Sequence, residues 1–539
     1  MTYNLLDEPW IPVRRRSGKV SWIAPHQVAE REDPPVALAC PRPDFDGGVL
    51  QFLIALLQTA APPDNESAWR RWVDPPEPGS LKAAFDVHRA AFELLGDGSR
   101  FMQDPGLAGN DAEEKPITAI LLGAPTGQTL EQNADVFTKR GVVSAIGLPA
   151  AAMSLVTLMA NAPAGGAGYR TSLRGGGPLC TVLSGQTLWT TAWLNVLPRP
   201  VFERVGGRPA LTQPRHTFPW LAELDGEREL GPELIHPLQQ FWAVPWRVRL
   251  GEVREEGVCD LAGTRGPVVR AVRLKNYGPN YKGAFLHPLT PYAEVKAGEP
   301  LNPRKLGSEG LPYRDWPAYV VGGNGRVPAR VVQHFAEAER GEVIAGRQSA
   351  PARLLCFGYS LDKAKAESWS SSLAPLLVAA KETLPRVQAA LQRATHGANE
   401  VRRTLQQQLR QALARRAEDL AFETTTFESI SRRFWSETEP DFFKLADDLV
   451  LLSQADADEA ALDARMEAWA VRLQEASLAL FSASSQERGE FAATDVRRVS
   501  QAWHRLKRFT SPRNPVVRKH FGLPVIQQDA AAPRRRARA

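Results

Sequence analysis

The chain has 539 residues, of which 43% are hydrophobic and 23% charged, and it carries a net charge of +6 at pH 7. That length exceeds a single hydrophobic core, so two to four domains are expected, and the basic balance favours an anionic partner. No run of about 18 apolar residues is free of charge, which excludes a membrane-spanning helix.

The N-terminal stretch "MTYNLLDEPWIPVRRR" has acids and prolines where a secretory signal needs an apolar run, so a cytoplasmic protein is expected. Cys40, Cys180, Cys259 and Cys356 stand far apart, with no C-x-x-C pair and no histidine at zinc-ligand spacing. Reduced thiols without metal fit that compartment. Residues 1–365 are rich in proline, glycine and tryptophan, with short apolar runs such as "AYVVGG" and "RVPARVVQHF" between turn residues. This pattern predicts a large mixed α/β domain.

Within it, residues 161–187 read "NAPAGGAGYRTSLRGGGPLCTVLSGQT", two glycine-rich segments around Tyr169–Arg174. Bare backbone of this kind can approach a phosphate, a base edge or another backbone closely. The stretch has no lysine, so it is not a G-x-x-x-x-G-K-[ST] phosphate loop, and its spacing does not fit G-x-G-x-x-G. Arg170 and Arg174 pull the reading toward a polyanion; a connector without a ligand is the plainer alternative. His287, before a proline, reads as a structural histidine in a turn, and Cys180 as a buried small residue with no thiolate-stabilising neighbour. H-E-x-x-H, G-x-S-x-G and nuclease-like paired acids are all missing from the sequence, so no catalytic residue, metal or cofactor is assigned.

From about residue 366 a helical pattern is expected. Val401, Leu405, Leu409, Leu413 and Leu420 draw one apolar stripe, with Arg402, Arg403, Arg410, Arg415 and Arg416 largely off it. Later stretches repeat the pattern, predicting a four-helix bundle over 366–525 and a basic, disordered tail over 526–539. In "ATDVRRVSQAWHRLKRF", Arg498, Arg505 and Arg508 fall close to one helix face, and residues 501–539 hold ten Lys or Arg against the single acid Asp529. Such a face either meets phosphates or is merely solvated. The fold class is therefore α+β, a large mixed N-terminal domain followed by a four-helix bundle.

Five strings in order resemble one family, CasA, the large subunit of the type I-E CRISPR surveillance complex Cascade. They are "NLLDEPWIPV" (Asn4 to Val13), "RFMQDPG" (Arg100 to Gly106), "SLRGGGP" (Ser172 to Pro178), "WLNVLPRP" (Trp193 to Pro200) and "HPLTPY" (His287 to Tyr292). The resemblance implies a non-catalytic subunit of an RNA-guided complex. In such a complex the guide RNA reads sequence, while protein reads a short protospacer-adjacent motif in duplex DNA.

The resemblance also implies roles for particular residues. Ala164, Gly165, Gly166, Ala167 and Gly168 would lay backbone into the minor groove, with Lys275 or Asn276 reaching base edges. Ser360, Leu361, Asp362 and Lys363 map onto a wedge hairpin; relatives place amides there and this chain has none, so Leu361 or Lys363 would wedge mechanically. Phe137, flanked by Lys139 and Arg140, would dock near the guide RNA, and Lys296, Arg498, Arg505 and Arg508 would meet the DNA backbone. Implied partners are double-stranded target DNA, guide RNA, the other Cascade subunits and the CRISPR helicase-nuclease, with no membrane. From other classes, the rivals are a nucleotide-binding or metal-dependent nucleic-acid enzyme, and a purely structural subunit.

Overall fold

Two buried helices organise the first part of the chain. α1 (Pro43–Ala60) starts with Pro43 in its first turn and Asp44 and Asp46 beside it, where a preset φ and negative charge favour a helix N-terminus. Residues 47–58 are buried on all sides, so α1 is a core helix rather than an amphipathic one. α2 (Leu148–Asn161) is apolar in the same way and packs along it. Their approach is close: a Cβ on Gly48 would stand 2.3 Å from Thr157 Oγ1. Trp10, Phe52, Phe101, Trp220 and Trp242 interlock edge to face around α1, with centroids 5.1 to 6.5 Å apart.

The computed structural model describes residues 1–109, 112–124, 141–163, 168–206, 211–296, 298–307, 309–362, 365–377, 379–413, 424–486 and 496–525. Among the described residues, sheets have two or three strands, and no helix is long and apolar enough to cross a membrane. Four strands position the candidate site: β1 (Cys180–Ser184), β2 (Ala271–Lys275), β3 (Arg353–Asp362) and β4 (Lys365–Pro375). β3 is central and antiparallel to β1 and β4. β2 is central in another sheet, antiparallel to Arg247–Leu250 and Glu113–Pro116. Tyr359 Oη donates to Asp44 Oδ2 at 2.6 Å, tying β3 to the start of α1.

Two compact units divide the chain, Met1–Leu311 with Ala318–Leu376, and Pro312–Pro317 with Leu377–Ala539. The boundary expected after residue 365 falls at the start of β4, where a strand replaces the expected helix. The reason is local and tertiary together. "ESWSSSL" is serine-rich and a weak helix former, and Trp369 reaches Gly47 of α1, where a Cβ would stand 2.7 Å from its ring. The second unit is a bundle of α3 (Leu384–Leu413), α4 (Thr424–Gln454), α5 (Glu459–Gln486) and α6 (Val496–Phe509). α3 and α5 each pack on the other three helices. Val401, Leu405, Leu409 and Leu413 are buried as the stripe requires, while Leu420, Arg415, Arg416 and the tail 526–539 lie outside the described residues.

Arg402 differs from its expected place off the stripe. It is buried and donates to Ser431 Oγ at 2.9 Å. Pro312–Pro317 joins the bundle through Tyr313, which stacks on Phe442 with centroids 4.3 Å apart and bonds Thr438 Oγ1 at 3.0 Å. No sequence pattern announces that excursion.

In the first unit Glu66 accepts from Arg340 Nε at 3.1 Å and Nη2 at 3.0 Å, and meets His334 Nε2 at 2.5 Å. Arg340 is fully buried, 3.8 Å from the Trp69 ring centroid, and also donates to the Leu194 and Val196 carbonyls. Burial opposes the charge on Glu66, but the bonds from His334 and Arg340 outweigh it and pull the carboxyl from 4.5 to about 2. A depressed folded value gives stability that is present above 4.5 and is lost as pH falls toward 2. Glu66→Gln should flatten that acid limb and, by leaving Arg340 buried without its charge partner, cost about 3 kcal/mol at pH 7. Thermal melts from pH 7 to pH 2 check both effects.

Candidate nucleic-acid interface

The glycine-rich segment leaves the end of α2 and closes on itself before entering β1. Gly177 N donates to Asn161 O at 3.1 Å, Ser172 N to Ala162 O at 2.9 Å, and Ser172 Oγ to Gly175 O at 2.5 Å. Gly168, Gly175 and Gly177 hold positive φ, +86°, +80° and +56°, which favours glycine at each. Ala164, Gly165, Gly166 and Ala167 lie outside the described residues.

The two arginines of this segment separate. Arg174 is buried, donating to Gln51 Oε1 at 2.7 Å, Thr290 Oγ1 at 3.0 Å and Cys180 Sγ at 3.1 Å. It is an internal tie and presents no charge to a polyanion, correcting that part of the sequence reading. Cys180 thus has a cationic neighbour that the sequence did not reveal, yet burial still pushes its thiol up against the pull of Arg174. His287 is buried too. Its backbone N–H donates to Tyr292 Oη at 2.7 Å, its Nδ1 accepts from Leu289 N at 3.2 Å, and burial followed by Arg174 pushes the imidazole well below its ordinary value. A neutral histidine shaping a turn is what this geometry makes.

Gly168 meets the end of β2. Its carbonyl accepts from Tyr277 N at 2.7 Å, and a Cβ on it would stand 2.7 Å from Asn276 Cβ. Lys275, Asn276 and Tyr277 are exposed. Lys275 pairs across the sheet with Arg247, whose charge is answered by Asp104 at 2.5 Å. At the other end of the segment, a Cβ on Gly176 or Gly177 would lie 3.0 to 3.1 Å from Leu361 side-chain atoms.

Leu361 belongs to the tip of the β3–β4 hairpin, where the register shifts between Ser360 and Leu361. Ser360 is buried, and Leu361 is half-buried against the glycines rather than projecting freely. Asp362 pairs with Lys365 in the backbone ladder, and Lys363 lies outside the described residues. Lys305, which the sequence did not single out, is exposed beside this segment; its Nζ would be 3.4 Å from a Cβ on Gly175. Nothing in "NPRKLG" signals that proximity, which depends on the Pro178–Lys305 bridge.

The remaining residues fall elsewhere. Lys296 is 76% exposed and pairs with Glu299 at 3.4 Å. In the bundle unit, Arg505 and Arg508 are exposed on α6, Arg505 donating to Gln411 Oε1 at 3.1 Å, and Arg498 is half-buried. Phe137, Lys139 and Arg140 lie outside the described residues. Among the described residues no group of three His, Cys, Asp or Glu is arranged to hold a metal.

A mixed body followed by a helical bundle is a fold found in solved CRISPR-associated proteins. Thermus thermophilus CasA matches with a TM-score of 0.67 at 19% identity, over 94% of this chain and 99% of that one. Thermobifida fusca Cse1 matches with a TM-score of 0.69 at 17% identity, over 97% and 98%. A chain of a CRISPR RNA-guided surveillance complex matches with a TM-score of 0.64 at 16% identity, over 94% and 99%. The chain belongs to the CRISPR-associated protein Cse1 family, whose model matches residues 4–480.

The contact between Gly168 and Asn276 has a measurable consequence. Gly168→Ala should destabilise the first unit by about 1–2 kcal/mol, from left-handed strain plus the clash. Asn276→Gly should recover the clash component, read as coupling in a denaturation double-mutant cycle.

Proposed function

We propose that this chain is the large subunit of an RNA-guided surveillance complex, where it reads the protospacer-adjacent motif of double-stranded DNA through the minor groove. The observation that carries the reading is one convergence. A single glycine-rich segment touches the exposed end of β2, with Lys275 and Asn276, at Gly168 and the tip of the β3–β4 hairpin at Gly176 and Gly177. Backbone without side chains enters a narrow groove, a lysine beside it reaches acceptors on the groove floor, and a hairpin next to both can intrude on the base stack.

The hairpin tip over Ser360–Lys363 is the wedge; Leu361, on leaving its packing against Gly176 and Gly177, or Lys363 opens the first pairs and starts the R-loop. Strand exchange onto a guide RNA is nearly balanced in energy, so a few groove and phosphate contacts are enough to tip it. Lys296 and the α6 arginines supply phosphate contacts without sequence content. Phe137, Lys139 and Arg140 dock the subunit near the guide RNA. The outer surface receives the helicase-nuclease that cuts the target, and the chain itself neither hydrolyses nucleotides nor cleaves DNA. Its membership of the Cse1 family supports this assignment, as does its fold likeness to a chain of a CRISPR RNA-guided surveillance complex.

The test is binding of reconstituted complexes, with and without this chain, to duplexes differing only in the motif, across a salt series. Only complexes containing the chain should separate the duplexes. Lys275→Ala should weaken binding to the accepted motif by about 1–3 kcal/mol, and neutralising Arg505 and Arg508 should lower the salt slope equally for every duplex. Motif preference that survives without the chain, or metal-dependent turnover by the chain alone, would contradict the proposal.

A further inference from the structure

Tyr277 holds a left-handed backbone conformation, φ +59°, that aromatic residues rarely adopt, and it is 57% exposed. Three close approaches surround it. Its N–H donates to Gly168 O at 2.7 Å. Gly226 lies so near its carbonyl that a Cβ there would stand 1.6 Å from the oxygen. Gly278, the next residue, crowds Pro245 O, which a Cβ would meet at 2.1 Å. Strain of this kind persists only where the surroundings over-determine it, and it gathers at ligand contacts. What the strain achieves is to turn a large ring outward, one residue beyond Asn276.

The ring has a cationic neighbour. Arg170 Cζ lies 5.7 Å from its centroid, and Trp246 Nε1 fixes the Arg170 backbone by donating to its carbonyl at 2.8 Å. Trp246 is itself held against Tyr169, with centroids 4.5 Å apart. Among the described residues no hydrogen bond or ion pair engages the Arg170 guanidinium; its Nε is shielded from solvent, which leaves the Nη amino groups to meet a ligand. A guanidinium with unused donors beside an exposed aromatic face matches a nucleotide, whose phosphate and nucleoside present an anion and a flat face together. An apolar protein surface would leave those donors unanswered.

We propose that Arg170 and Tyr277 form a nucleotide contact beside the glycine loop, the guanidinium taking a backbone phosphate and the ring packing on the adjoining nucleoside. The inference rests on the DNA-reading function proposed above and adds two contact residues to it. Tyr277→Asn keeps a residue that tolerates positive φ while deleting the ring, and Arg170→Gln deletes the charge.

In the reconstituted complex, Tyr277→Asn is expected to weaken binding to a motif-bearing duplex roughly tenfold, without lowering the thermal midpoint of the chain. Tyr277→Phe, which restores the ring, is expected to restore the affinity. Arg170→Gln is expected to reduce the salt slope by about one phosphate contact. Unchanged affinity and slope in Tyr277→Asn and Arg170→Gln, where Lys275→Ala still weakens binding, would overturn this inference alone. If Lys275→Ala is also without effect, the reading beneath it fails and this inference fails with it. A folded Tyr277→Asn chain that no longer joins the complex would place the ring against a protein partner, and would overturn the nucleotide contact.

Discussion

The buried Arg174 guanidinium is the constraint on which the candidate surface depends. It binds Gln51 on α1, Thr290 in the turn shaped by His287, and the Cys180 thiol at the start of β1. A buried cation is tolerated only when its donors are occupied, so these acceptors fix Arg174 and, with it, the chain on either side. Without that anchor a glycine-rich segment would have many conformations of similar energy. With it, Gly168 is presented to Asn276 in one direction while Gly176 and Gly177 are presented to Leu361 in the other.

The elements that meet there come from distant parts of the sequence. α1 and α2 provide a rigid floor through their contact at Gly48, and Tyr359 binds the hairpin to the N-terminus of α1 through Asp44. Positions such as Gly168, Gly177 and Gly226 share one property: each faces an atom closer than a side chain allows, or holds a φ that a side chain resists. At these positions glycine serves close backbone approach rather than flexibility.

Much of the architecture was legible in the sequence. The period of Val401, Leu405, Leu409 and Leu413 announced α3, and ordered strings from "NLLDEPWIPV" to "HPLTPY" announced the family, to which the chain belongs. Other features were hidden for physical reasons. Arg174 and Arg402 carry charge, which reads as surface, yet both are buried by partners far away in the chain. The strand character of β4 is not in its local sequence, because it comes from pairing with β3 and from Trp369 against Gly47. At the candidate site, the resemblance points to Lys275 and Asn276, whereas nothing in the sequence points to Lys305 or Tyr277. Their placement follows from a bridge to Pro178 and a bond to Gly168 that no local pattern encodes.

The most direct measurement replaces Asn276 with a photoreactive benzophenone residue in the reconstituted complex and maps its crosslinks on labelled duplexes. If the glycine segment, the end of β2 and the hairpin form the DNA-reading surface, crosslinks should fall within the motif or the first pairs beside it, and only on duplexes that carry the motif. Crosslinks confined to protein or guide RNA, or spread evenly along DNA regardless of motif, would contradict the account.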